Sequence, residues 1–517
     1  MAVTALTASL APPLAAQAVL SDYENSDANG QVRAKAIWRL AFRPGVQVLG
    51  QTVASLRQTS GLSKQDAATI DALISQAQTA SDSEARPLLW HAASIGLGKK
   101  WTPAQAAFGS IAIRPSGTVL TNTQAAALLE QQYPVEVPQG IHFAIDLVKG
   151  VEASSATPER GDRVRELASG SLSGRFPRSV RLDLSGVAPG FYLLDMHLTN
   201  GRGDTGELAA PVYVEPQIEA EGKAVEVRLR NVAGHDAARA TALYPFELAR
   251  AINAGRREVI SYDFNRAIAR SDEIASALVH GHDPVFQATG LQNRAYRFAE
   301  TGELIPYQIY VPSNWNPARK WPLVVALHGA NLDETNMLGR ASGEMQKLAE
   351  QHGYIVVAPL GYRINSAYGN TRGIGKQLGA DPDRVRRSEA DVLSVIDLVT
   401  KEYNVDPAHM YLTGNSMGGG GTWWIAAHHP GMFAAIAPTA FGGVVDEDVN
   451  ALRKVPILAV VGEKDELGMR DRVKRSADLL RANGADIEYL EIPGGTHKTA
   501  FDDAMARIFE FFASHGK

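Results

Sequence analysis

A chain of 517 residues exceeds what one hydrophobic core sustains, since single cores stop growing near roughly 250–300 residues, so more than one unit is expected. With 51 basic and 56 acidic side chains, a formal net charge of −5 and a mean hydropathy of −0.14, the composition lacks the basic footprint of a nucleic-acid binder and the apolar content of a membrane-embedded chain. Cysteine is absent, which removes disulfides, thiolate metal sites and cysteine nucleophiles.

Residues 1–18 carry Leu6, Leu10 and Leu14 among alanines and end in Ala16-Gln17-Ala18, the pattern of a secretory signal with an A-x-A cleavage site, although a basic leading segment is missing. A secreted or periplasmic protein is the expectation, with the cytoplasm as the alternative. No stretch approaches the ~20 continuous apolar residues of a membrane span. Residues 19–136 read as helical: Ser63-x-x-Asp66 forms a capping box ahead of Ile70, Leu73, Ile74 and Ala77, and short helices follow around Leu88 to Ile95 and Ala125 to Gln132.

At Val137 the period changes to two. Ile141, Phe143, Ile145 and Leu147 alternate with other residues, as do Val180, Leu182 and Leu184, and turn clusters bracket Phe191 to Leu198. A small immunoglobulin-like β-sandwich over 137–216 is the simplest architecture, with Arg202-Gly203-Asp204 as a hairpin tip. Residues 217–290 read as a connector, strand-like at Val225, Val227 and Leu229 and then helical through Leu248 to Ile252 and Ile268 to Leu278. His280-Gly281-His282-Asp283 lacks the further ligands a metal site needs and reads as a solvated loop, so no metal is expected.

From 291 to 517 short continuous apolar runs alternate with helical patterns. Leu323 to Leu327, Tyr354 to Ala358, Met410 to Leu412, Ala434 to Ala437, Ile457 to Val461 and Ile487 to Leu490 have the look of strands buried on both faces. Ser388-x-x-Asp391 reads as the cap of a helix bearing Val392, Val395, Ile396 and Val399. Strands alternating with helices specify an α/β unit with a mostly parallel central sheet.

The chemistry gathers at the ends of those strands. Gly414-Asn415-Ser416-Met417-Gly418 follows one strand and opens a helix, so its turn must be tight, its glycines must lack side chains, and Ser416 must project above the sheet edge. A serine hydroxyl needs a base held by a carboxylate. Downstream of Ser416 lie His428, His429, His497 and His515; the first pair sits about three turns along the elbow's own helix and the last at the terminus, which leaves His497, in a loop just past a strand. Asp465, in Gly462-Glu463-Lys464-Asp465 at another strand end, is the acid in the chain order Ser, acid, His, with Glu463 and Glu466 as its competitors. The backbone N–H groups of Met417 and of Ala330, or else Asn331, are the candidate oxyanion donors, with Gly329 allowing a close approach. His328 reads as a structural turn residue. Tyr362 and Tyr368, in the insertion from Gly361 to Asp383, and Phe441 are candidate substrate contacts.

These residues carry a resemblance. From Tyr307 to Phe512, and above all in Leu323 to Gly329, Tyr411 to Gly419, Gly462 to Asp465 and Gly495-Thr496-His497, the chain resembles the polyhydroxybutyrate depolymerase and feruloyl esterase branch of the α/β hydrolases. The resemblance implies carboxylester hydrolysis through an acyl-enzyme, on a small-molecule or polymer ester, with no metal or organic cofactor. A prolyl-oligopeptidase-type serine peptidase shares the elbow and triad, but propeller repeats are missing from the sequence. A non-enzymatic polymer-binding protein built on the sandwich is the third reading, which the complete triad disfavours.

Overall fold

The computed structural model describes residues 29–59, 61–123, 125–151, 158–172, 176–372, 375 and 378–516; the signal-like segment 1–18 lies outside them. The chain divides into two compact units, one of residues 1–221 with 249–266 and the other of 222–248 with 267–517. No described helix is long and apolar enough to cross a membrane.

The first unit opens on helices Asn29–Ala41, Val46–Arg57, Lys64–Gln78, Asp82–Gly96 and Pro103–Ser110. Ser63 accepts the Asp66 N–H at 3.0 Å and so caps the third, while Leu49, Val53, Leu56, Ile70, Leu73, Leu89 and Trp90 form one buried cluster. Two sheets follow. One has the order Ile111–Pro115, Ala126–Gln131, Arg178–Arg181; the other has Val119–Leu120, Thr205–Val214, Gly190–Asn200, Ile141–Val151, Glu159–Leu172. Ile111, Ile113 and Leu129 of the first share a core with Phe143, Leu194, Met196 and Leu208 of the second, which makes a sandwich beginning at 111 rather than 137. Its parallel edge pair, Val119 with Tyr213 and Leu120 with Val214, departs from an all-antiparallel immunoglobulin-like sandwich. The Ala-Leu-rich Ala126–Gln131, expected to be helical, is a strand, because pairing on both sides outweighs its intrinsic preference. Arg202 and Asp204 do lie at a hairpin tip, where the Asn200 side chain accepts both of their N–H groups at 3.0 and 2.9 Å.

Arg43 fastens this unit from within. Its buried guanidinium donates to the carbonyls of Ile111 at 2.6 Å, Phe108 at 2.7 Å, Leu40 at 2.8 Å and Glu207 at 3.2 Å, and lies 4.6 Å from the Trp90 ring centre. One planar fork thus satisfies carbonyls of helix and strand alike.

The connector, whose residues are divided between the two units, contains no strand. Ile218–Leu229 is helical: Val225 and Leu229, four apart, are buried, whereas Val227 is 50% exposed, so the alternation of valines in sequence is one helix face seen twice. Asp236–Asn253 and Phe264–Val279 complete the helical segment. An eight-stranded sheet follows, made of β1 (Gly290–Arg297), β2 (Leu304–Val311), β3 (Trp321–Leu327), β4 (Ile355–Pro359), β5 (Val405–Asn415), β6 (Ala435–Thr439), β7 (Ile457–Gly462) and β8 (Ile487–Ile492), in the spatial order β8-β7-β6-β5-β3-β4-β2-β1. It is mixed: β1 with β2 and β2 with β4 are antiparallel, and the remaining pairs are parallel.

The helices are α1 (Asn336–His352), α2 (Pro382–Tyr403), α3 (Met417–His428), α4 (Asp446–Leu452), α5 (Met469–Ala482) and α6 (Ala500–Ala513). α1 and α6 share a buried cluster with β3 to β7 through Val324, Val356, Tyr411, Ala437 and Val460. α1 is not continuous. Arg340 is extended at ψ 159°, and Ala341, Ser342 and Gly343 are left-handed at φ 48°, 55° and 73°, a conformation that costs a residue with a side chain ~1–2 kcal/mol. α2 is capped by Asp381, which accepts the Arg384 N–H at 2.9 Å, and not by Ser388, which lies inside the helix.

Glu215 of the first unit is 3% exposed, its Oε1 has no hydrogen-bond partner among the described residues, and Glu221 and Asp263 add like charge. Burial, then those two carboxylates, push its pKa up to about 8. Because the folded chain keeps a proton that the unfolded chain sheds near the ordinary carboxyl value of 4.5, stability is highest below that value and declines as the pH rises to about 8. Glu215→Gln is expected to remove this slope. Between pH 6 and pH 9 the wild-type Tm should fall by roughly 3–8 °C more than that of the variant, read by calorimetry; equal falls would show the carboxyl to be ionised throughout.

Candidate active site

β5 delivers Ser416 at its carboxyl end. The turn into α3 holds the serine at φ 54° and ψ −115°, and its N–H donates to the Thr439 carbonyl of β6 at 2.9 Å. The strain is enforced by crowding, since a Cβ on Gly418 would stand 2.1 Å from the Leu327 carbonyl oxygen and one on Gly414 would stand 2.4 Å from that of Gly418. Only glycine fits at either position. The run continues, with Gly419 against Thr439 and Phe441, Gly420 against the Phe441 ring and Gly421 against Tyr368, so α3 is packed close to its own backbone from several directions.

The loop after β8 brings His497 to the serine. Its Nε2 lies 2.8 Å from Ser416 Oγ, and its Nδ1 lies 2.8 Å from Asp465 Oδ2. The Asp465 side chain has no solvent exposure, and its other oxygen accepts the N–H groups of Leu467 at 3.0 Å and Met469 at 3.3 Å. A carboxylate so held draws the imidazole proton to Nδ1, which leaves Nε2 to accept from the serine hydroxyl. The two neighbouring glutamates have other partners: Glu466 accepts the His497 N–H at 3.0 Å, and Glu463 accepts the Gly494 N–H at 2.7 Å. Both fix the loop that carries the imidazole. His428 and His429 are engaged elsewhere, with Trp424 and Glu389.

The loop after β3 forms the opposite wall. Gly329 sits where a Cβ would lie 3.5 Å from the Asn415 oxygen and 3.6 Å from Ser416 Cβ. Ala330 follows. The Asn331 N–H is taken by Asn365 Oδ1 at 2.8 Å, and the Asn365 amide returns a hydrogen bond to Asn331 Oδ1 at 2.8 Å. The Asn331 N–H is therefore occupied, while the Met417 N–H stands in the first turn of α3 where no helical acceptor exists. His328, fully buried, has Nδ1 2.8 Å from the Gly329 oxygen and Nε2 2.8 Å from the Leu360 oxygen, and burial lowers its pKa. It braces the loop and does not approach as a second base.

The aromatic residues expected at the substrate are buried packing groups. The Tyr362 hydroxyl donates to Glu303 at 3.0 Å and its ring meets Phe298 with centres 5.6 Å apart. Tyr368 has no exposure, and its hydroxyl reaches the His328 carbonyl at 3.4 Å. Phe441 is 7% exposed and accepts the Trp423 indole N–H on its carbonyl at 2.9 Å. The loop of Tyr362 and Tyr368 is anchored on α2: Ser388 accepts the Tyr368 N–H at 3.0 Å, and buried Asp391 accepts the Tyr362 N–H at 2.8 Å and the Tyr296 hydroxyl at 2.5 Å. The roles of Ser388, Asp391, Asn365 and Glu466 were hidden from sequence reasoning; only the adjacency of Glu466 to Asp465 hinted at one of them. Among the described residues no group of three or more His, Asp or Glu side chains is set to hold a metal, and His280 instead contacts the Ser276 carbonyl at 2.8 Å.

Residues 299–512 match the family model of putative esterases. The bifunctional acetylxylan esterase/xylanase XynS20E of Neocallimastix patriciarum is 30% identical over 159 residues, covering 31% of this chain and 21% of that protein. Poly(3-hydroxyalkanoate) depolymerase C of Paucimonas lemoignei is 33% identical over 139 residues, covering 26% of this chain and 30% of that protein. The chain thus spans less than a third of the length of either relative. The crystal structure of a thermostable esterase aligns over 79% of this chain and 98% of its own at 18% identity, with a TM-score of 0.37. The region 299–512 thus matches the esterase family model on a mixed eight-stranded α/β sheet, and parts of the chain are similar to an acetylxylan esterase and to a polyhydroxyalkanoate depolymerase.

Proposed function

We propose that the protein is a serine carboxylesterase that works through an acyl-enzyme. Ser416 attacks the ester carbonyl while His497 takes its proton, and Asp465 steadies the imidazolium that forms. The Met417 and Ala330 N–H groups receive the oxyanion. The imidazolium then protonates the departing alcohol, and a water activated by His497 releases the acid. The observation that carries this reading is the His497 ring, which stands 2.8 Å from the serine hydroxyl on one side and 2.8 Å from a buried carboxylate on the other.

The relatives named for acetylxylan and polyhydroxyalkanoate, together with the resemblance to feruloyl esterases, make acyl and feruloyl esters of wall polysaccharides and aliphatic polyesters the substrates to try first. Wall polysaccharides lie outside the cytoplasm, so the reading includes export to the periplasm or the medium. A propeller-bearing peptidase has less support, because the first unit consists of helices and two small sheets among the described residues. A purely binding role would leave the hydroxyl, imidazole and carboxylate alignment without a purpose.

Ser416→Ala is expected to lower turnover of a p-nitrophenyl ester by ~10⁴-fold or more and to abolish covalent labelling by a fluorophosphonate. Labelling undiminished in the variant would place the nucleophile elsewhere. Asp465→Asn is expected to cost about 10³–10⁴-fold in kcat, since it misdirects the imidazole tautomer, with KM little changed; a variant as fast as wild type would remove Asp465 from the mechanism.

A further inference from the structure

The interruption of α1 is not called for by burial. Met337, Ala341, Met345 and Leu348 already stand at helical spacing, so an unbroken helix would gather them on one face. Instead Ala341, Ser342 and Gly343 turn left-handed, and Ala341 and Ser342 are left exposed. Strain of this kind persists only where the surroundings over-determine it, and it points to a function to be sought.

What the break places is the Arg340 guanidinium. Its Nε donates to Asp502 Oδ1 at 2.5 Å, in the first turn of α6, and its Nη2 donates at 3.1 Å to the carbonyl of Lys498, the residue after His497. The guanidinium carbon lies 4.9 Å from the centre of the Phe501 ring. The side chain is 11% exposed, and Nη1 is buried with no acceptor among the described residues. A buried arginine with one donor unmet is a poor device for stability, and an apolar side chain of like size would serve a packing role better. The ties from Glu463 and Glu466 hold the His497 loop from the β7 side. Arg340 holds it from the β3 side, on the segment that leads directly from the oxyanion loop.

We propose that Arg340 is a positioning residue that sets His497 in line with Ser416 and fixes its place relative to the oxyanion donors, the strained turn being what delivers the guanidinium to the Lys498 carbonyl. The inference rests on the serine-esterase reading. Arg340 touches no substrate in this account, so its loss acts on turnover and leaves binding alone.

The test is steady-state hydrolysis of p-nitrophenyl acetate by the full chain, with Ser416→Ala run alongside and a thermal melt of each variant. R340M is expected to lower kcat by roughly 10–100-fold with KM within about twofold, as a base displaced by an ångström would. R340K, which keeps the charge and one of the two contacts, is expected to recover at least about threefold of that loss. A folded R340M with kcat within about twofold of wild type, a loss confined to KM, or no recovery in R340K each overturns the proposal. Should R340M fail to fold, R340Q is held to the same criteria, and loss of the folded state in both makes the residue structural and overturns it as well. Hydrolysis retained by Ser416→Ala would instead sink the esterase reading itself, whereas an inactive Ser416→Ala beside a fully active R340M sinks only the role of Arg340.

Discussion

The second unit depends on a contact between backbones. Where β5 turns into α3, Gly418 lies so near the end of β3 that a single Cβ would stand 2.1 Å from the Leu327 oxygen. That closeness brings the first turn of α3, the loop after β3 and the end of β6 together, and it forces Ser416 into a conformation its side chain disfavours. Every other feature of the site is placed relative to this bend. The loop after β3 abuts the serine through Gly329, and the Gly419 to Gly421 run lets Phe441 and Tyr368 close over the helix.

Around the bend the carboxylates divide the work. Asp465, without exposure, receives backbone donors on one oxygen and the imidazole on the other, so its geometry is fixed before any substrate arrives. Glu463 and Glu466 fasten the backbone of the imidazole loop, and Asp391 fastens the loop beyond β4, which in turn touches His328 through Leu360 and Tyr368. Hydrogen bonds to charged acceptors are stronger than neutral ones, which suits them to fixing loop backbone.

Much of this was legible in the sequence, for reasons that differ by residue. Continuous apolar runs announced β3, β4 and β7, because strands covered on both faces leave no polar side to alternate. The elbow was legible because sterics admit so few residues there. Ala126–Gln131 was misread because composition favours a helix and only its two neighbouring strands decide otherwise. Val225, Val227 and Leu229 were misread because three positions cannot separate a period of two from a helix face. The antiparallel β1 and β2 were not foreseen, since pairing direction leaves no trace in a hydrophobic run. The aromatic residues Tyr362, Tyr368 and Phe441 were placed in the right loops, yet direction within a loop is set by tertiary packing that no local pattern encodes.

The clasp between Asn331 and Asn365 ties the loop after β3 to the loop after β4. The Asn331 backbone N–H donates to Asn365 Oδ1 and the Asn365 side-chain amide donates to Asn331 Oδ1, both at 2.8 Å, and both residues carry neutral side chains. A latch without formal charge neither titrates nor weakens as counterions crowd around it. That contact, next to Ala330 in the loop after β3, is therefore indifferent to brackish or acidified surroundings, where a lysine–glutamate latch would slacken.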